Sequence, residues 1–127
     1  MRIDIQIDVE DEIRKALSGH LTAYCKPLPK DFQTPCILVS HTGGGDTNTI
    51  NRFLVTIDSR AETEAEASEY LRIAIGILKK KAALQKTALR YITVNSSGSW
   101  GADPVRPELA MCSATLEVIA HQITMEV

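Results

Sequence analysis

Aromatic residues are scarce in this sequence: two Phe, three Tyr and one Trp, 5% of the chain. None interleaves with the basic run Lys79-Lys80-Lys81, so the pattern on which single-stranded nucleic acid stacks is missing there. An excess of one charge sign is missing too. Fourteen Lys and Arg stand against 16 Asp and Glu, a net charge of −2, which supplies no global attraction to nucleic acid or an anionic membrane. No apolar run approaches the roughly 20 residues needed to span a bilayer. The opening Met1-Arg2-Ile3-Asp4 is amphipathic, not a basic lead into an apolar stretch, so no leader is expected and the cytoplasm is the default compartment.

Cysteine is sparse as well. Cys25, Cys36 and Cys112 are too few and too scattered for a disulfide framework, and no two share metal-ligand spacing. Cys25 and Cys36 flank a proline-rich stretch, but a bridge there is not expected in a reducing compartment. His20, His41 and His121 lack ligand-spaced companions. A Cys36–His41 pair stays formally open, because a nucleophile and its base can be distant in sequence. No nucleophile–base–orienter set and no metal cluster is visible. No catalytic residue, metal ligand or cofactor is therefore assigned.

What is present is a globular composition. The 127 residues are 44% hydrophobic and 24% charged, enough for one domain, residues 1–127, with its own core. The most informative segment is Ala110–Ile123. Cys112, Ala114, Leu116, Val118 and Ala120 alternate with Ser113, Thr115, Glu117 and His121, and only Ile119 breaks the pattern. Period-2 alternation predicts a strand with one buried face, and Cys112 falls in its apolar register. Fully extended, the segment would reach about 45 Å, against a domain diameter of about 36 Å for this length. Such a strand must bend, bulge or leave its own domain, and a strand that leaves needs a partner along its edge.

Other elements follow from periodicity and punctuation. Ile3, Ile5 and Ile7 alternate with Asp4 and Gln6, which fits either a short strand or the lead into a helix. Val9, Ile13, Ala16, Leu17 and His20 share a helical face, with Asp8 as N-cap and Gly19 near the stop. Residues 22–35 form a proline-punctuated loop. Cys36–Ser40 and Arg52–Asp58 are strands joined by a flexible hairpin connection, His41–Thr49, that contains Gly43, Gly44, Gly45 and Asp46. Thr63 and Glu66 make a capping box that opens a long helix. Its Glu-rich start and Lys79-Lys80-Lys81 finish complement the macrodipole. Leu71, Ala74, Ile75, Leu78 and Ala82 form its core stripe, widened by Ile73 and Ile77, and Gly76 marks a close approach to the sheet. Leu89–Val94 is a strand. Asn95–Glu108, with Trp100, Asp103 and Arg106, reads as a connection before the terminal strand.

The expected fold is α+β. It is a two-layer domain whose sheet of about four strands carries one short and one long helix on one face, in the order helix-strand-strand-helix-strand-strand. The Gly43–Asp46 segment is the best anion candidate, yet it lacks the Lys-Ser/Thr of a phosphate loop and leads into a strand, so a hairpin tip is the simpler reading. Trp100 is either an interface anchor or a side chain folded over the sheet edge. Arg106 and Glu108 fit an ordinary surface pair.

From Arg52 onward the sequence resembles the tail-completion proteins of long-tailed bacteriophages, the tail terminators and tail-to-head joining proteins. The likeness rests on a strand like Arg52–Asp58, the turn Ser59-Arg60-Ala61, and the Ala/Glu-rich helix start Glu62–Ala67. A further strand, the Gly/Pro/Asp connection Gly98–Pro107 and a long alternating terminal strand complete it. The N-terminal helix, proline loop and Ile37–Val39 strand fit in order, so the resemblance covers nearly the whole chain. The Ile3/Ile5/Ile7 alternation departs from a family chain that opens directly in a helix.

The resemblance implies a non-enzymatic virion protein, assembled in the bacterial host cytoplasm. It would form a homo-oligomeric ring, commonly six-fold, at the head-proximal end of the tail tube. Its partners would be the tail-tube protein and the head connector, with DNA passing through the lumen without specific binding. Thr42–Thr49 and Asn95–Arg106 are then the expected docking loops (Gly43, Gly44, Gly45, Asp46, Trp100, Asp103 and Arg106). The outer end of the terminal strand, with Thr115, Glu117, Ile119 and His121, is the expected subunit contact through edge pairing. The alternative is a small α+β ligand-binding or regulatory domain that holds an anion on Gly43–Asp46.

Overall fold

Asp8 caps the first helix, its carboxylate accepting from the Asp11 amide at 3.3 Å, and the chain from there builds two layers. A computed structural model describes residues 1–46 and 50–127, excepting the side chains of 46 and 97–99. The elements are β1 (Arg2–Ile5), α1 (Val9–Leu17), β2 (Ala23–Cys25), β3 (Cys36–Asp46), β4 (Ile50–Ala61), α2 (Glu64–Leu84), β5 (Leu89–Ala102), β6 (Ala110–His121) and β7 (Ile123–Glu126). Five strands form the main sheet, in the order β2-β3-β4-β6-β5, and β1 pairs with β7 in a separate two-stranded ribbon. The sheet is thus larger than the four strands expected, and the chain contains β2 where only a loop was expected.

Both helices lie on one face. Alternate residues of β4 and β6 (Phe53, Val55 and Ile57; Ala114, Leu116 and Val118) meet Ile13 and Leu17 of α1 and Ala67, Leu71, Ala74, Leu78 and Ala82 of α2 in one buried core. Thr63 caps α2, accepting from the Glu66 amide at 3.2 Å, and Gln85 ends it in a left-handed conformation. His20 lies beyond the end of α1 and is exposed, not on its apolar face. Ile73 points to solvent, and a Cβ on Gly76 would meet nothing within 4 Å. The close approach to the sheet expected at Gly76 is absent, because Gly76 lies on the outer side of the helix.

Three segments expected as turns or loops are strand. β3 runs through Gly43–Asp46, β4 extends through Ser59-Arg60-Ala61, and β5 runs to Ala102, with Trp100 opposite Cys112. Small and hydroxyl residues lack local strand preference, and cross-strand pairing over the full length of β4 and β6 supplies what propensity does not. Ser59 is buried and donates to the carbonyls of Ala67 (2.7 Å) and Cys112 (3.2 Å).

The terminal strand resolves the length mismatch by breaking. β6 ends at His121, and after Gln122 the chain continues as β7, which leaves the main sheet and pairs with β1. The N-terminal alternation is therefore a strand, and it pairs with the end of the overlong segment within the same chain.

Asn51 sits on the core face of β4, completely buried. Among the described residues neither its amide nitrogen nor its oxygen has a partner. An unpaired buried amide costs about 1–3 kcal/mol. Asn51→Leu, of similar size, is expected to stabilise the fold by about 1 kcal/mol or more, read as a higher urea midpoint at unchanged slope. A lower midpoint would show that Asn51 is paired in solution.

Candidate functional site

β6 lies between β4 and β5 along its whole length: Ile50–Ala61 pair with His121–Ala110 on one side and Leu89–Ala102 on the other. Both of its hydrogen-bonding edges are occupied. Edge pairing through β6 is therefore corrected, because a central strand has no free edge to offer. Thr115, Glu117 and Ile119 instead point out of the sheet on the face that the helices leave uncovered, and His121 is exposed at its end.

That uncovered face is rich in hydroxyls. In register, Ser40, Thr56, Thr115 and Ser96 form one cross-strand row, and Leu38, Asp58 and Ser113 the next. Ser113 donates to Asp58, and Arg52 meets Glu117 at 2.8 Å. Tyr91, 66% exposed, lies opposite Ile119. A sheet face that is neither charged of one sign nor apolar over its whole area neither grips a polyanion nor closes on an apolar layer.

The two expected docking segments lie at opposite ends of this sheet. Gly43–Asp46 pair with Asn51–Leu54, at the end where Ile50 faces His121. Ala102 and Ala110 bound the other end, with the 103–109 connection beyond them. Thr47–Thr49 of the first segment lie outside the described residues.

Gly43–Asp46 is a twisted arm of the β3–β4 hairpin, with a bulge between His41 and Gly43. Gly44 has φ +132°, and a Cβ there would sit 2.8 Å from the Phe53 Cα and closer still to the Arg52 carbonyl oxygen. Here glycine is required by conformation and by close approach. Gly44→Ala is expected to cost more than about 1 kcal/mol in urea denaturation. An unchanged midpoint would mean that the bulge relaxes freely. These glycines do not crown a helix N-terminus, so the dipole that would favour an anion is absent.

At the far end the connection is a small structural unit. Phe32, Cys36 and Leu109 form a second buried cluster, with Tyr24 and Leu28 against it. Beside it Arg60 Nε donates to Asp103 at 2.7 Å, and Asp103 is 2% exposed. The same carboxylate accepts from the amides of Val105 (2.8 Å) and Arg106 (3.2 Å). Burial pushes the Asp103 carboxyl up, but those two amides and the Arg60 guanidinium outweigh it and hold it below the usual carboxylate range. Asp103 is thus corrected from a docking residue to a buried brace, since its oxygens already face inward.

Arg106 pairs with Glu108 at 3.2 Å and covers the Phe32 ring at 5.0 Å, as a surface pair with a packing role. Trp100 is 49% exposed on the edge strand β5 and remains available for contact. Arg60 was missed in the sequence. Its signal is a lone Arg next to the last residue of a strand, answered by an Asp-Pro pair 43 residues later, and that correspondence becomes visible only in the register.

Chemistry finds little footing. Cys36 and His41 occupy opposite faces of the sheet, one beside Arg60 and the other across from Val55, so that pair does not form. Burial raises the Cys36 thiol to about 11, far from a nucleophile's range. No disulfide joins the three cysteines, and Cys112 lies in the main core as expected. Among the described residues no three His, Cys, Asp or Glu side chains gather as a metal site, and no helix is long and apolar enough to cross a membrane.

The fold and surface define a small mixed α+β domain with one covered and one open sheet face. The chain matches no family model, and comparison with curated proteins gives no match either.

Proposed function

We propose that this chain is a virion structural protein, without catalytic activity, that caps the head-proximal end of a phage tail tube as a ring and joins the tail to the head connector. The observation that carries the reading is the two-ended sheet. The glycine-rich Gly43–Asp46 arm of β3 lies at one end, paired with β4, and the 103–109 connection, braced by Arg60 and Asp103, closes the other. A ring subunit needs this polarity, with one end for the tube and one for the connector, and cyclic closure places each end on its own rim. The resemblance in element order from Arg52 onward supports the same reading.

The hydroxyl-rich open face suits a lumen wall. β4 and β6 place Arg52, Asp58 and Glu117 on it, besides the buried Arg60, with Arg52 neutralised by Glu117. DNA would then pass without being held, because retention needs uncompensated Lys and Arg.

The test is deletion of the gene from the phage or prophage that carries it. The expected result is tails of uncontrolled length and heads without tails, restored by the chain supplied in trans. Normal infectious particles in its absence would sink the proposal. Calorimetry against phosphate and nucleotides is expected to show no saturable heat, and a saturable isotherm would favour the ligand-binding alternative.

A further inference from the structure

The β1–β7 ribbon leaves two faces in water. Ile3 pairs with Met125 and Ile5 with Ile123, and Met1 and Val127 continue the same register. One face is therefore entirely apolar, while Arg2, Asp4, Thr124 and Glu126 occupy the other. Met1, Ile123, Met125 and Val127 are exposed, and none of the ribbon's apolar side chains belongs to either buried cluster. An isolated two-stranded ribbon is at best marginally stable in water, and an apolar face of this kind marks an interaction site.

A matching concavity lies on the solvent side of α2. Ile73 (44% exposed), Ile77 and Leu84 (50% exposed) follow one another along the outer surface, with Gly76 leaving room between them. The groove encloses about 480 Å³ and is rimmed by His20, Lys80 and Lys81. Among the described residues neither these two lysines nor Asp4 has an ion-pair partner within the chain. Glu126 on the ribbon's back is met by the N-terminal ammonium at 3.5 Å and by Arg2 at 3.9 Å, so Asp4 carries the unpaired negative charge, and an apolar ribbon edged by Asp4 complements an apolar groove with a basic rim. The lysine stems can line the groove walls while their ammonium groups reach round the ribbon's edge.

We infer that the ribbon of one copy seats its apolar face in the α2 groove of a second copy. Ribbon and groove are different patches, so the contact is head-to-tail, and such a contact repeats until it closes into a ring or continues as a filament. This deepens the ring reading and rests on it for closure. It also relocates the subunit contact from β6 to the strand that follows it.

The test uses chains with one accessible cysteine, introduced in a Cys25→Ser background in which Cys36 and Cys112 are buried, mixed at high concentration and oxidised, and also assembled into particles. Met125→Cys mixed with Ile73→Cys is expected to give a crosslinked pair at least tenfold above either chain alone. One chain carrying both changes is expected to give a covalent ladder that ends at the ring size. Gly76→Gln, whose added atoms meet open space within the monomer, is expected to keep the fold and lose the crosslink.

Crosslinking of Met125→Cys with itself would overturn the inference in favour of a symmetric ribbon pair. Particles that assemble but show no Met125–Ile73 crosslink would overturn it while leaving the tail-completion reading intact. A head-to-tail ladder from a chain whose deletion leaves normal phage would do the reverse.

Discussion

Asp103→Ala is expected to destabilise the protein by about 3–5 kcal/mol, because it strands the Arg60 guanidinium in a buried position. The partner is not replaceable by water: the Arg60 side chain is 8% exposed, and its Nη1 already has no hydrogen-bond partner among the described residues. The substitution also removes the acceptor for the Val105 and Arg106 amides, so the 103–109 connection should loosen along with the loss of stability. Urea denaturation measures the first effect and amide exchange the second.

The double variant Arg60→Met/Asp103→Leu is expected to recover most of the loss, since replacing a buried pair by apolar groups removes the uncompensated charge. A single-variant loss below about 1 kcal/mol would place Arg60 in contact with water, as for a surface pair. The same carboxylate sets a pH dependence. Its folded-state pKa is depressed, so its contribution is complete above the unfolded value of about 3.9 and is lost as pH falls through the lower folded value.

Thr115→Pro is expected to prevent folding or to cost roughly 3 kcal/mol or more. Thr115 lies opposite Thr56 on β4 and Ser96 on β5. Proline there removes a ladder donor in a strand with neighbours on both sides, a position proline does not occupy in sheets. Were β6 an edge strand, the same substitution would spare the fold and block only association. The position of β6 in the sheet therefore decides what the substitution tests. A soluble, cooperatively unfolding Thr115→Pro protein with unchanged circular dichroism would contradict the central placement of β6. The contact between copies is better probed on the ribbon and on α2, where substitutions alter surfaces without breaking the main sheet.

The helices were legible because their signals are local. Asp8 and Thr63 cap them, and the Leu71, Ala74, Leu78 and Ala82 stripe faces the core as its spacing dictates. The buried register of β6 was legible for the same reason: alternation commits every second side chain to one face, whatever the neighbours are. Of the two residues expected to widen the α2 stripe, Ile77 packs against the core and Ile73 does not. Ile73 satisfies helical periodicity as well as the core positions do, and nothing local shows that its side of the helix meets no sheet.

Residues with weak strand preference misled in the same way. Gly43–Asp46 and Asn95–Ala102 carry the composition of loops, yet both are strand, because β4 and β6 offer complete ladders for them to join. The candidate site divided along the same line. Trp100 and Arg106 stayed near the surface where the sequence put them, whereas Asp103 turned inward to a partner 43 residues away.

By itself the sequence determined the α+β class, both helix starts, which side chains of β6 are buried, and that a terminal strand of that length could not run straight within the domain. All of these depend on periods of a few residues and on short-range hydrogen bonds. Only the tertiary structure decided that β6 is central, that its continuation pairs with β1, that Arg60 and Asp103 brace one end of the sheet, and that an apolar ribbon and an apolar groove remain uncovered on the same chain. These are matters of which distant segments share an edge, and hydrophobic burial, being non-directional, leaves that choice to the mutual fit of whole elements.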